Sequence, residues 1–138
     1  IDVTFEGPIP TVPADENRLM QVLGNLISNA IKYSPDGGSI IISGRRKADH
    51  VVVCVQDEGP GIPLEDVPRI FNLFYRSNEA ARKTKGAGLG LFLAKAIVEA
   101  HGGKIWVDDR VQSGARICFS LPISQRPLIT PPSITKVE

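Results

Sequence analysis

Cysteine, histidine, methionine and tryptophan are scarce here: two, two, one and one in 138 residues. Neither cysteine has a CxxC neighbour or a nearby histidine pair, which argues against a thiolate metal centre or a disulfide scaffold. Cys54 and Cys118 sit inside apolar, strand-like runs and are expected to be small buried hydrophobes in a reducing cytoplasm. Long apolar runs are missing too. None approaches the roughly 20 residues a membrane-spanning helix needs, and no signal peptide precedes the first strand. Nor is there an excess of one charge: 16 basic against 15 acidic residues leave +1. The basic ones are dispersed apart from RKTK at 82–85, so neither a nucleic-acid partner nor membrane contact is expected. The first residue is Ile1 rather than Met, and the expectation is a piece excised from a longer protein.

What is present suits one soluble domain. The hydrophobic fraction is 42%, and the length suffices to bury a core. Residues 2–6 alternate as a strand, ended by a proline-rich segment. Residues 15–33 carry a helical period. A wheel gathers Leu19, Met20, Leu23, Leu26, Ile27, Ala30 and Ile31 on one face, with Arg18, Asn25, Asn29, Lys32 and Tyr33 opposite. SPDGG at 34–38 is a turn. Two β-rich runs, 39–47 and 50–57, read as a hairpin across Ala48 and Asp49. Residues 63–74 suggest one or two short helices, and 77–88 a polar, mobile loop. A second amphipathic helix, 89–101, places Leu89, Phe92, Leu93, Ala96, Ile97 and Ala100 together and stops at Gly102 and Gly103. Strands at 104–109 and 115–122 follow, then a tail from 123 expected to be disordered. The order predicts a two-layer α/β sandwich over 1–122, a mixed sheet with about three helices on one face.

Three strings could carry chemistry. In NLISNAIKY (25–33), Asn25 and Asn29 are one helical turn apart, and Lys32 and Tyr33 extend the stripe. Two such asparagines are a solvated face or a ligand set: an amide oxygen can ligate Mg²⁺ and a lysine can meet a phosphate. In DEGPGI (57–62), Asp57 ends a strand and enters a glycine turn. Gly59 and Gly61 allow close backbone approach, and an ionised Asp57 can only accept hydrogen bonds. GAGLGL (86–91) is neither a dinucleotide fingerprint, having no βαβ unit around it, nor a Walker loop, having no Gly-Lys-Ser/Thr. It opens a helix, whose N-terminal amides favour phosphate.

Together these strings resemble the catalytic ATP-binding domain of sensor histidine kinases, of the Bergerat (GHKL) ATPase superfamily, over residues 14–122. The resemblance implies a Bergerat ATP-binding fold with ATP and Mg²⁺ as cofactors. It places Asn25 against the phosphates, Asn29 on Mg²⁺, Lys32 on phosphate and Tyr33 on the adenine. It gives Asp57 the adenine amino group and puts Ile62 on the wall beside the ring. FNLFYR (71–76) resembles the family's F box, where Phe71 and Phe74 anchor the following loop and Arg76 faces the terminal phosphate. Gly86, Gly88, Leu89, Gly90 and Leu91 match the second glycine box, with Lys85, ahead of Lys83, as the phosphate lysine of the lid. The match weakens in QSGARICFSLP (112–122), where Gln112 replaces a glycine and Arg116 stands where threonine is common, although Gly114 keeps the turn.

His50 opens a strand and His101 ends a helix, a position the helix dipole favours. Neither has the context of a phosphoacceptor. The resemblance therefore implies transfer to a histidine on a separate dimerisation domain of the parent, with a response regulator downstream, in the cytoplasm, and a monomeric isolated domain. Another enzyme of the superfamily, such as an anti-sigma-factor serine kinase, or a degenerate docking module are the competing readings.

Overall fold

Asp15 starts the longest helix. Its Oδ1 accepts the Arg18 amide at 3.2 Å, the bond by which an N-cap residue satisfies a free amide of the first turn, and α1 runs Glu16–Tyr33. The computed structural model describes residues 1–33, 38–72, 90–108 and 114–124, without the Tyr33 side chain. The expected loop at 77–88 and the tail from 125 lie outside them.

Strands β1 (Asp2–Glu6), β2 (Ile41–Lys47), β3 (His50–Gln56), β4 (Lys104–Val107) and β5 (Arg116–Pro122) form one sheet in the order β1-β2-β3-β5-β4. β1 pairs with β2 in parallel and all other pairs are antiparallel, so the sheet is mixed, as expected. In the β2–β3 turn Ala48 takes φ 56°, the left-handed geometry a two-residue hairpin demands. The second long helix, α2, spans Gly90–Ala100. Between β3 and α2 the described residues contain only a 3₁₀ turn, Val67–Arg69.

Side chains alternate across the sheet, and the two faces differ. Ile42, Val53, Val55, Ile105, Val107, Ile117, Phe119 and Leu121 share one face, against which α1 and α2 pack Val22, Leu26, Ala30, Ala94 and Val98. Each such fully buried side chain larger than alanine is worth about 1.5–3 kcal/mol. Val52, Cys54, Cys118 and Trp106 cluster on the other face.

Three expectations need correction. The α1 wheel was turned: Val22, Leu26 and Ala30 are buried, whereas Met20 and Ile31 are 64% and 57% exposed. Asn25 and Asn29 are half-buried beside the core stripe rather than opposite it. In α2 the buried residues are Ala94 and Val98, and Phe92 and Leu93 face outward at 38% exposure each. Cys54 and Cys118 are not separate thiols but a disulfide. The β3–β5 register sets them directly opposite, with Cα atoms 4.0 Å apart, and a 64-residue separation hid this from the sequence.

Gly102 and Gly103 do stop α2. Gly103 N–H donates to Val98 O and Gly102 N–H to Glu99 O, both at 3.0 Å, and Gly102 has φ +82°. This is a Schellman ending, with glycine in the left-handed position. A side chain on Gly103 would also overlap the carbonyl of Ser120, so α2 is seated directly on β5.

Candidate nucleotide site

Asp57 follows the last residue of β3 and is buried, 5% exposed. Its N–H donates to Ala115 O at 2.9 Å. Its Oδ1 accepts two backbone amides, Gly59 at 2.8 Å and Ala115 at 3.2 Å. No hydrogen bond reaches Oδ2 from the described residues. A carboxylate so held keeps one oxygen in a fixed direction, ready to accept from a ligand N–H.

Close backbone packing makes this possible. Gly61 (φ +84°) and Gly114 (φ +76°) both adopt conformations that L side chains rarely take. A Cβ on Gly61 would stand 3.1 Å from Gly114 O, and one on Gly114 would overlap the Asp57 carbonyl. The second glycine of DEGPGI thus takes left-handed geometry in a close backbone contact. Gly59 instead contributes its amide. Ile62 follows, half-buried and packed on the core.

The second half of the site lies between the helices. Asn25 sits where α2 begins: a Cβ on Gly90 would lie 3.8 Å from both Cβ and Cγ of Asn25. That is an ordinary van der Waals distance, so the first turn of α2 lies directly against α1 here. Asn25 Nδ2 is buried without a hydrogen-bond partner, an arrangement that costs about 1–3 kcal/mol unless a ligand or water supplies an acceptor. Asn29, one turn on, is half-buried, Lys32 is exposed, and Leu91 packs on the core. Tyr33 is the last residue of α1. Arg76, Lys85, Gly86, Gly88 and Leu89 lie outside the described residues, as do Phe74, Lys83 and Gln112.

Arg116 stands away from this site. It shares the outer sheet face with Cys118, opposite Gln56, and its Nε lies 3.7 Å from Oδ2 of the buried Asp108. Replacing threonine by arginine there builds an ion pair behind the sheet.

Two contributors escaped the sequence. Ala115 acts only through its amide and carbonyl, which carry no residue-type signal. Glu58, in the position given no role, accepts the Ser39 amide at 2.9 Å and so ties the glycine turn to the chain entering β2. Among the described residues no group of three or more His, Cys, Asp or Glu could hold a metal ion. A divalent cation would instead use amide and phosphate oxygens, which suits Mg²⁺. No helix among them is long and apolar enough to cross a membrane.

A family model described as "Histidine kinase-, DNA gyrase B-, and HSP90-like ATPase" matches residues 14–125. The sensor histidine kinase WalK of Bacillus subtilis is 45% identical over 117 residues, 83% of this chain and 19% of WalK. The chain spans 19% to 34% of the length of the curated relatives it matches. Among solved structures, a mycobacterial sensor histidine kinase, MprB, superposes with a TM-score of 0.76 at 32% identity, covering 88% of this chain and 79% of that one. Histidine kinase ThkA, in a crystal structure with the response regulator protein TrrA, superposes with a TM-score of 0.71 at 35% identity, covering 89% of this chain and 34% of that one.

Proposed function

Given that the chain belongs to the histidine kinase-, DNA gyrase B- and HSP90-like ATPase family, as an ATP-binding catalytic domain of the sensor-kinase type, we propose that it binds Mg·ATP and passes the γ-phosphate to a histidine on a separate dimerisation domain of its parent. The observation that carries this is Asp57: buried, clamped through Oδ1 by two amides, with Oδ2 left to accept the adenine amino group.

On this reading the residues divide the work. Asp57, Ile62 and Tyr33 hold the base, with Gly59 and Gly61 shaping the turn beneath it. The unpartnered Nδ2 of Asn25 donates to a phosphate oxygen beside the amides of Gly90 and Leu91, where the dipole of α2 favours negative charge. Asn29 offers an amide oxygen to Mg²⁺, which when bound offsets charge on the phosphates, and Lys32 adds a positive charge at the same end of α1. Arg76, Lys85, Gly86, Gly88 and Leu89 take their roles from the motif match alone: Arg76 on the γ-phosphate, Lys85 and the glycine box around the triphosphate. No general base is assigned, since phosphoryl transfer relies mainly on positioning and charge stabilisation.

The partners are the phosphoacceptor helices of the parent and, beyond them, a response regulator, such as the one crystallised with ThkA. Residence in the cytoplasm, where ATP is supplied, completes the proposal. The test is phosphorylation in trans. Alone, the chain should bind ATP without labelling itself. Mixed with its parent's dimerisation helices it should label them on histidine, giving an acid-labile, base-stable product. Stable serine or threonine phosphate would instead assign it to the anti-sigma-factor type of kinase.

A further inference from the structure

His101 ends α2, and both of its ring nitrogens are engaged. Nδ1 lies 2.8 Å from Ile97 O, an atom that can only accept, so Nδ1 carries the proton. Nε2 lies 3.1 Å from the Asp15 amide, which can only donate, so Nε2 must be an unprotonated acceptor. One neutral tautomer satisfies both. The imidazole is a link between the two helices.

Asp15 is the N-cap of α1, and its own amide is the one His101 holds. The end of α2 is therefore fastened to the start of α1. At the opposite end of the pair, Gly90 meets Asn25. These two contacts, roughly a helix length apart, add to the core packing of Val22, Leu26, Ala30, Ala94 and Val98 in holding α1 along α2. Asn25 and Asn29 ride on α1, and the amides of Gly90 and Leu91 open α2.

We propose that His101 is a positioning residue for the nucleotide site, fixing α1 against α2 through the Asp15 amide. The proposal rests on the nucleotide-binding reading above. Asp15 Oδ1 is taken by the Arg18 amide, so the imidazole is the group that holds the Asp15 N–H. On the sheet side Gly102 packs on Pro122, whose register partner His50 is bonded to Asp49.

The test measures Mg·ADP affinity by calorimetry for wild type, His101→Gln and His101→Ala. Glutamine keeps an amide oxygen for the Asp15 N–H and an N–H for Ile97 O. The alanine variant should bind about three- to tenfold more weakly, as for one lost hydrogen bond, and glutamine should restore most of that loss. Nitrogen chemical shifts of the wild-type ring should report the Nδ1–H tautomer. Wild-type affinity in His101→Ala, or a glutamine variant that binds no better than the alanine one, overturns the proposal. A wild type that binds no nucleotide overturns the function reading itself, and is told apart by needing no variant to see it.

Discussion

Asp57 and Ala115 hold each other twice: the Asp57 N–H donates to the Ala115 carbonyl at 2.9 Å, and the Ala115 N–H donates to the Asp57 carboxylate at 3.2 Å. Because the second bond uses Oδ1, the first prediction can separate folding from recognition. Asp57→Asn retains an oxygen for the Gly59 and Ala115 amides but offers the adenine amino group an N–H where Oδ2 was. ADP affinity should fall by about 1.5–3 kcal/mol, roughly ten- to hundredfold, with the unfolding midpoint shifted far less than in Asp57→Ala. Calorimetry and denaturant melts of both variants make the comparison. Unchanged ADP affinity in Asp57→Asn would remove Asp57 from base recognition.

Gly114→Ala should injure both. At φ +76° an alanine carries a left-handed penalty of about 1–2 kcal/mol, and its methyl would overlap the Asp57 carbonyl. Loss of stability should come with loss of ADP affinity, since the displaced carbonyl belongs to Asp57, the residue proposed to take the base. A variant destabilised to that extent but binding ADP normally would show that the Gly114 contact does not set the Asp57 geometry.

Elements were legible where one local signal dominated. The span of α1, the Ala48–Asp49 hairpin and the Gly102–Gly103 stop each appear where the sequence placed them, because each is fixed by neighbouring residues. The helix faces were not legible. Leu19, Met20, Val22, Leu23, Leu26, Ile27, Ala30 and Ile31 wrap much of α1, and GLFLAKAIVEA is apolar nearly all round. Periodicity alone therefore does not choose which stripe meets the sheet. That choice comes from tertiary packing, as does the β3–β5 pairing that joins Cys54 to Cys118. At the site, Asp57, Gly61 and Asn25 announced themselves by residue type and spacing. The Ala115 amide and the Glu58–Ser39 and His101–Asp15 links did not, because each depends on a backbone group far away in sequence.

The disulfide makes stability depend on redox conditions. It closes a separation of 64 residues, for which the chain-entropy model gives about 4 kcal/mol. Both cysteines are nearly inaccessible, 4% and 1% exposed, so a reductant should act slowly on the folded protein and quickly once denaturant opens it. Denaturant melts with and without reductant should differ in midpoint for wild type and coincide for the Cys54→Ala, Cys118→Ala double variant. Coincident wild-type melts would mean that the pair is held as two thiols, the state a glutathione-rich cytoplasm favours.

Asn25 and Asn29 are separated by one turn of α1, and the proposed roles predict different losses. Asn25 has a buried amide nitrogen without a partner, against Gly90. Asn25→Ala should therefore weaken ADP binding whether or not Mg²⁺ is present, while the folded domain loses little, since an unsatisfied donor is removed along with its burial cost. Asn29 is the proposed metal ligand, so Asn29→Ala should abolish the gain in ADP affinity that Mg²⁺ gives and leave the metal-free affinity near wild type. Titrations of ADP with Mg²⁺ and with chelator, run on both variants, place each residue. If Asn29→Ala keeps the full Mg²⁺-dependent gain, the ligand lies elsewhere, and Asn29 is only a half-buried polar residue on the helix that Asn25 anchors.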